Sequence, residues 1–169
     1  MAVERREHRV ALEILYAVDI GLMPLEDVLA QARDEVGVFG RGDVAAEEDP
    51  YEPEYPAIDK RADAPRPTDW QLVERIVRGT LTAKSELESA LAPHLRRWTV
   101  ERLPGVDRLL LDMSAWELRN RPEAETTAVI NHAVELARRM STDASPAFVN
   151  GVLDAVRRAL RKEEAARPR

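Results

Sequence analysis

The sequence predicts an all-helical protein, a compact bundle of about seven helices. Several separate stretches repeat apolar residues at spacings of three and four, which is the period of a helix that buries one face. No stretch alternates apolar and polar residues as a half-buried strand does. The 169 residues are 44% hydrophobic, which is enough for one sizeable core. We therefore expect a single helical domain over residues 1–169.

The composition excludes several kinds of protein and of binding site. The sequence contains no cysteine, which excludes disulfides and thiolate metal sites. No apolar run approaches the roughly 18 to 20 residues needed to cross a bilayer. The N-terminus MAVERREHRV is charged and lacks the apolar core of a signal peptide. We expect a cytoplasmic protein without a membrane partner.

The negative charge of the chain is concentrated in one segment. Residues 34–67 hold ten Asp or Glu against four Lys or Arg, so the rest of the chain carries 21 of each sign and the net charge of −6 belongs to this segment. Basic residues cluster elsewhere, at Arg5, Arg6 and Arg9, at Arg138 and Arg139, and at Arg157, Arg158, Arg161 and Lys162. Local positive patches on a neutral body are compatible with a nucleic-acid partner.

Two helices are expected within residues 1–36. The stretch RREHRVALEILYAVDI has helical apolar spacing, and we predict a helix that begins at Arg5 and ends near Gly21. After Pro24, LEDVLAQARDEV predicts a second helix. Residues 37–67 then contain five of the eleven prolines and three of the seven glycines, without a helical period. We predict a flexible, disordered acidic insertion there.

The remaining helices are expected within residues 68–162, followed by a basic tail over 163–169. Thr68-Asp69 is a good N-cap for WQLVERIVRGTLTAKSELESALAPHL, which predicts one long helix or two abutting helices. Residues 96–102 are expected to connect this helical stretch to the next helix. That helix begins at Pro104-Gly105 and runs to about Arg119. These elements have apolar faces at helical spacing, so each is expected to pack into the core.

The last two helices form a predicted hairpin over residues 126–160. The segment STDA breaks the apolar pattern, and Ser145-Pro146 then supplies an N-cap hydroxyl followed by proline at the first helical position. Asn150 and Gly151 are unusual so early in a helix. The structural interpretation is that another helix approaches closely at Gly151 while Asn150 bonds loop backbone.

The functional interpretation of the hairpin concerns an anion or phosphate site. Phe148 lies in the first turn of the last helix, beside exposed backbone N–H groups. On the first helix, Arg5, Arg9, Leu12 and Tyr16 are separated by four, three and four residues and so share a stripe. This stripe is either a solvated charged end or an RNA site in which arginines pair with phosphates and an aromatic ring stacks on a base.

Catalytic and metal-binding motifs are missing from the sequence. There is no glycine-rich phosphate loop, no paired-histidine motif and no nucleophile arrangement. His8, His94 and His132 belong to different elements and have no acidic or histidine neighbours at ligand spacing. We therefore expect neither an enzyme nor a cofactor.

Four segments resemble the NusB antitermination-factor family, in that family's order. They are RREHRVALEILYAVD, VDRLLLDMSAWEL, AVINHAVELAR and SPAFVNGVLD, and the last is the most specific. The resemblance covers nearly all of the chain except residues 37–67. It implies an all-helical fold of two helical halves. It also implies a transcription antitermination factor that binds boxA RNA of ribosomal RNA operons with NusE, a small ribosomal-subunit protein, in an elongation complex with other Nus factors.

The resemblance also implies site residues. For RNA binding these are Arg5, Arg6, His8, Arg9, Tyr16, Ser145, Phe148 and Asn150, and for partner binding Glu117 and Asp143. His8 stands where the family commonly has an arginine. Because histidine is mostly neutral at pH 7, we expect one phosphate contact to be weaker or to be taken over by Arg9.

Two other functions stay open at this point. One is a helical adaptor that binds only protein, in which case RNA binding would not depend on the N-terminal arginines. The other is an RNA-binding module related to the N-terminal domains of ribosomal RNA methyltransferases, although 169 residues leave no room for a methyltransferase domain. An exposed apolar face would suit either a homodimer or NusE, and the sequence does not choose between them.

Overall fold

Seven α-helices make up most of the chain that the computed structural model describes, which comprises residues 5–21, 23–39, 67–96, 98–122 and 124–166. They are α1 Arg5–Asp19, α2 Leu25–Phe39, α3 Trp70–Thr82, α4 Lys84–Leu91, α5 Gly105–Asn120, α6 Thr126–Met140 and α7 Ser145–Ala166. Two short 3-10 helices, Ala92–His94 and Val100–Arg102, connect α4 to α5. These residues contain no strand, and the predicted all-helical class is confirmed.

Local sequence signals mark the helix ends where they were predicted. Asp69 caps α3, because its Oδ1 accepts a hydrogen bond of 3.1 Å from the backbone N–H of Leu72. Gly21 follows α1 with a φ of 69°, the left-handed conformation that glycine adopts most easily after a helix. The helical stretch after Asp69 divides at Ala83. The alternative of two abutting helices is therefore the correct one.

The ends of two predicted segments differ from the structure. α2 continues to Phe39, whereas the sequence placed the start of the acidic insertion at residue 37. Residues 40–66, which are most of that expected insertion, lie outside the described residues. At the other end α7 extends to Ala166, so the expected tail begins inside a helix.

α5 occupies the centre of the bundle. It packs against α1, α3, α4, α6 and α7. From Asp107 to Glu117 every side chain except that of Arg108 is buried. A helix surrounded on all sides is usually apolar on all sides, but this one carries Asp107, Asp112 and Glu117 into the core. Such burial is unusual, because Asp and Glu mostly lie at the surface.

α1 is the second buried element and packs against α2, α3, α5 and α6. Its buried apolar residues are Val10, Ala11, Leu12, Ile14 and Leu15. Glu7 is buried as well, and its Oε1 accepts a hydrogen bond of 3.0 Å from the backbone N–H of Asp69 at the start of α3. This contact satisfies a backbone donor at the helix N-terminus and places a negative charge where the α3 dipole favours it.

The α6–α7 hairpin is present as predicted, but Ser145 does not cap α7 in the expected way. Its hydroxyl accepts a hydrogen bond of 3.2 Å from the backbone N–H of Thr142 and donates one of 2.8 Å to Oδ2 of Asp107. The backbone N–H of Phe148 bonds to the carbonyl of Ala144 instead. Ser145 therefore ties the start of α7 to the loop before it and to the first turn of α5.

Asp112 is the least compensated of the buried carboxylates. Neither of its oxygens accepts a hydrogen bond from the residues described. Burial, with smaller contributions from Glu88 and Asp19, raises the pKa of this carboxyl to about 7, although Lys84 and Arg108 partly oppose the shift. The folded state therefore holds a proton that the unfolded chain releases at much lower pH.

Replacing Asp112 should change how stability depends on pH. Because the folded pKa is raised, Asp112 makes the free energy of unfolding fall between about pH 4 and pH 7 and has no further effect above that. Asp112→Asn should therefore stabilise the protein more at pH 8 than at pH 5. The gain in the free energy of unfolding at pH 8 should be at most about 4 kcal/mol. Urea denaturation at both values measures this. The exposed Asp143→Asn variant is the control, and an equal gain for Asp112→Asn at both pH values would contradict the argument.

Two helical glycines should respond oppositely to alanine. A Cβ at Gly79 of α3 would overlap the indole ring of Trp116 on α5, whereas a Cβ at Gly151 of α7 would meet nothing within 4 Å. Gly79→Ala should therefore cost about 1–3 kcal/mol through overpacking. Gly151→Ala should gain up to about 1 kcal/mol from helix propensity. Thermal melts of the two variants test both signs, and a stabilised Gly79→Ala protein would show that Trp116 moves freely.

Candidate nucleic-acid interface

The exposed face of α1 carries a cation and an aromatic ring. Arg9 and Glu13 are 57% and 53% exposed, and Tyr16 is 43% exposed. Their spacings of four and three place them on one side of the helix. The guanidinium Nε of Arg9 lies 3.9 Å from Oε1 of Glu13, which is an exposed pair of little energetic value. Arg9 is thus available to an external anion.

The position of this face differs slightly from the sequence prediction. Leu12, expected on the same stripe as the arginines, is 1% exposed and belongs to the core. Arg6 is half-buried, and Arg5 begins the helix. The accessible stripe is therefore formed by Arg9, Glu13 and Tyr16.

The start of α7 and the end of α1 both border the first turn of α5. A Cβ placed on Gly105 would lie 3.9 Å from Cε2 of Tyr16, so α5 begins beside the tyrosine ring. Two residues later Asp107 accepts the hydrogen bond from Ser145. Phe148 lies about one turn beyond Ser145. The two segments of the predicted RNA surface are therefore brought to one end of α5.

The α7 side of this region is open. Phe148 is half-buried and packs against the core, while Asn150, Gly151 and Asp143 are exposed. No atom lies within 4 Å of a Cβ built at Gly151. The expectation of close helix approach at Gly151 is therefore wrong, and within the part of the chain described Asn150 makes no side-chain hydrogen bond to a loop. Asn150 and Gly151 are therefore exposed in the first turns of α7, close to Phe148 in the sequence.

His8 lies in the core and not on the exposed side of α1. It is 1% exposed, and its Nε2 lies 2.8 Å and 3.0 Å from the two carboxylate oxygens of Glu117 on α5. Arg121 pairs with the same carboxylate. The ring of His132 on α6 lies 4.8 Å from that of His8 between centroids, tilted by 56°. These four residues form a buried polar cluster that joins α1, α5 and α6.

Three predicted contact residues are therefore buried. His8 and Ser145 are each 1% exposed, and Glu117 has no exposed surface. RNA or a partner protein touches surface atoms, so a direct contact with any of the three would require the helices to separate. The histidines belong to different helices, and no sequence spacing links His8 to Glu117, because the two residues are 109 positions apart. Only the tertiary fold brings them together.

The described residues show neither a metal site nor a membrane span. No group of three or more His, Asp or Glu is arranged to hold a metal ion among them. None of their helices is both long and apolar enough to cross a bilayer.

Comparison with known proteins identifies the family. The profile of the NusB family matches residues 5–158, which contain every element of this interface. The chain belongs to the NusB family. The transcription antitermination protein NusB of Solibacter usitatus (strain Ellin6076) is 33% identical over 165 residues, which cover 98% of this chain and 95% of that protein. The family predicted from the four sequence segments is thus confirmed.

Solved NusB structures share the fold. T. maritima NusB superposes with a TM-score of 0.68 at 25% identity and covers 95% of this chain and 96% of its own. A structure of the antitermination factors NusB and NusE in complex with double-stranded RNA gives a TM-score of 0.68 at 19% identity, covering 94% and 98%. NusB from Aquifex aeolicus gives 0.66 at 20% identity, covering 100% and 95%. At these identities the last two comparisons show the fold alone.

Breaking the buried polar cluster should affect stability before anything else. Glu117→Ala leaves the side chains of His8 and Arg121 buried without their carboxylate, so the free energy of unfolding should fall by about 3–5 kcal/mol. Glu13→Ala removes an exposed carboxylate and should change it by less than about 1 kcal/mol. Urea denaturation measures both variants. A Glu117→Ala protein of normal stability that failed to bind a partner would instead place Glu117 at an interface.

Proposed function

We propose that this protein is a transcription antitermination factor that binds boxA RNA of ribosomal RNA operons together with NusE. The observation that carries the proposal is the NusB family match over residues 5–158, which includes both segments of the candidate interface. The protein acts by binding, without turnover of its own. It works in the cytoplasm, where the transcription elongation complex and the other Nus factors are found.

The RNA surface of this proposal combines phosphate contacts with base stacking. Arg9, supported by the neighbouring Arg5 and Arg6, contacts phosphates, because a guanidinium binds phosphate oxygens through several N–H groups. Tyr16 stacks on an unpaired base, and Phe148 offers a second ring from the start of α7. Arg9 takes the role that a basic residue in place of His8 would have had, since His8 is engaged by Glu117.

The partner surface includes the α6–α7 loop in this proposal. Asp143 lies exposed in that loop, two residues before the buried Ser145. Glu117, the other residue expected to contact NusE, acts indirectly by holding α1 against α5. Homodimerisation remains a second use of an exposed apolar surface.

A protein-only adaptor is the competing function, and one observation favours it. Tyr16, Ile20 and Met23 are exposed apolar side chains at the end of α1, with 43%, 49% and 36% of their surfaces accessible. Such a cluster also suits a protein partner. The two functions differ in whether nucleic acid binds at the arginines of α1.

Titration of labelled boxA RNA, with the protein alone and with NusE, tests the proposed function. Arg9→Ala should weaken binding of all RNA sequences and reduce the salt slope by roughly one counterion. Tyr16→Ala should cost about 1–3 kcal/mol of binding with the salt slope unchanged. Both side chains are exposed, so the free energy of unfolding should change little.

Arg78→Ala is the matched control for this titration. Arg78 is 44% exposed, but it donates hydrogen bonds of 2.7 and 3.0 Å to both carboxylate oxygens of Glu26, on the α2–α3 face. Its loss should leave RNA binding unchanged. Equal effects of Arg9→Ala and Arg78→Ala would show that RNA is attracted only by nonspecific electrostatics and not by a defined site at Arg9. Absence of RNA binding with and without NusE would favour the adaptor.

A further inference from the structure

Trp98 is the most exposed large apolar side chain among the described residues. It is 52% exposed, whereas Trp116 is 8% exposed and Trp70 is half-buried. The loop that carries Trp98 is anchored at both ends, because Leu95 and Leu103 are buried at 2% and 9% exposure. The backbone N–H of Trp98 donates a hydrogen bond of 2.6 Å to the carbonyl of Leu95. The Trp98 backbone is therefore tied to the buried Leu95.

Two arginines near Trp98 in the sequence have no ion-pair partner among the described residues. Arg96 and Arg102 are exposed, and neither forms an ion pair with any residue that the structure describes. Most other exposed arginines of the described chain are paired, for example Arg78 with Glu26 and Arg119 with Glu86. A guanidinium that is exposed and unpaired can bind an external anion without first breaking an internal contact.

The one acidic residue of the loop is held locally. The pKa of the Glu101 carboxyl is lowered by the backbone N–H of Glu101 itself and by the Thr99 side chain. This carboxylate therefore accepts hydrogen bonds at the start of the short 3-10 helix Val100–Arg102. It does not pair with Arg96 or Arg102. Among the described charged residues next to Trp98 in the sequence, the two arginines therefore outnumber the one glutamate.

The loop leads directly to the interface described above. Gly105, seven residues after Trp98, begins α5 beside the ring of Tyr16. A chain of seven residues spans at most roughly 25 Å when fully extended, and the 3-10 helix shortens it. Trp98 and Tyr16 therefore lie within the reach of one short single-stranded RNA.

We propose that Arg96, Trp98 and Arg102, together called the Trp98 loop, form a second contact site for single-stranded RNA. Trp98 stacks on an unpaired base, and Arg96 and Arg102 contact the phosphates on either side of it. The proposal rests on the proposed function, since it extends the same RNA path beyond Tyr16. RNA fits these residues better than an apolar protein surface does, because two exposed arginines lie within four residues of the exposed ring in the sequence.

The test uses the full chain and labelled single-stranded boxA RNA extended on both sides. Trp98→Ala should weaken binding roughly 5- to 150-fold with the salt slope unchanged, and Trp98→Phe should keep most of the affinity. Arg96→Ala and Arg102→Ala should each weaken binding and reduce the salt slope by roughly one. Met140→Ala, which removes another apolar side chain that is 37% exposed, is the control and should bind normally.

Tryptophan fluorescence provides a second measurement that does not depend on the alanine variant folding. RNA should quench the emission of the wild-type protein, and the quenched fraction should disappear in Trp98→Phe. Persistent quenching in Trp98→Phe would overturn the proposal, because the quenched ring would then be Trp70 or Trp116.

The outcomes separate this proposal from the proposed function. If Tyr16→Ala loses RNA affinity while Trp98→Ala and Trp98→Phe bind normally, the Trp98 loop is not a contact site and the proposed function stands. If no variant and no wild-type protein binds RNA, both fail. If Trp98→Ala weakens NusE binding without RNA and leaves RNA affinity unchanged, the loop is a protein site and the proposal is overturned.

Discussion

The buried carboxylate of Glu117 is the constraint on which the arrangement of the helices depends. Removing an ionised carboxylate from water is costly unless cations or hydrogen-bond donors replace the water. Here the replacements are His8 from α1 and Arg121 from just beyond α5. Arg121 lies four residues after Glu117 and pairs with it locally, whereas His8 reaches Glu117 only when α1 and α5 cross in one register. A slip of one residue would turn His8 away by about 100° and leave Glu117 with Arg121 alone.

That register also determines which side of α1 faces outward. His8 points into the core, so Arg9, one position later, lies about 100° further around the helix and is 57% exposed. Tyr16 lies on the same outer face, two turns along. The exposed face of α1 is thus a consequence of the buried cluster, because His8 is used inside the protein and Arg9, the next residue, is presented outside.

The three carboxylates of α5 are five residues apart and so point in different directions, and each meets different surroundings. Asp107 accepts a hydrogen bond from Ser145 and fixes the start of α7, while Glu117 binds α1. Asp112 lacks such a donor, and the raised pKa of its carboxyl reflects the difference. Charge at the two ends of α5 orients neighbouring helices, whereas charge in its middle costs stability near neutral pH.

Local signals allowed the sequence to predict the fold well. Helical periodicity, the Asp69 cap and Gly21 depend on neighbours in the chain, and the structure agrees with all three. The burial of His8 was also accessible in principle, because His8, Ala11, Leu12 and Leu15 have the spacing of a buried face. The partnership of His8 with Glu117 was not, since it joins positions 109 residues apart. The open surface at Gly151 likewise depends on which helices pass near it, and residue spacing carries no such information.

The paired and unpaired states of the arginines explain how an acidic protein can offer a nucleic-acid surface. The net charge of −6 describes the whole chain and says little about any one surface. On the α2–α3 face, Arg78 donates hydrogen bonds to both carboxylate oxygens of Glu26, so an internal carboxylate already balances its positive charge. Arg9 has only a weak neighbour at 3.9 Å, and such an exposed pair is worth roughly 0.3–0.5 kcal/mol, which a phosphate can displace. Electrostatic attraction for an external anion is therefore greatest where arginines lack firm partners, not where arginines are most numerous.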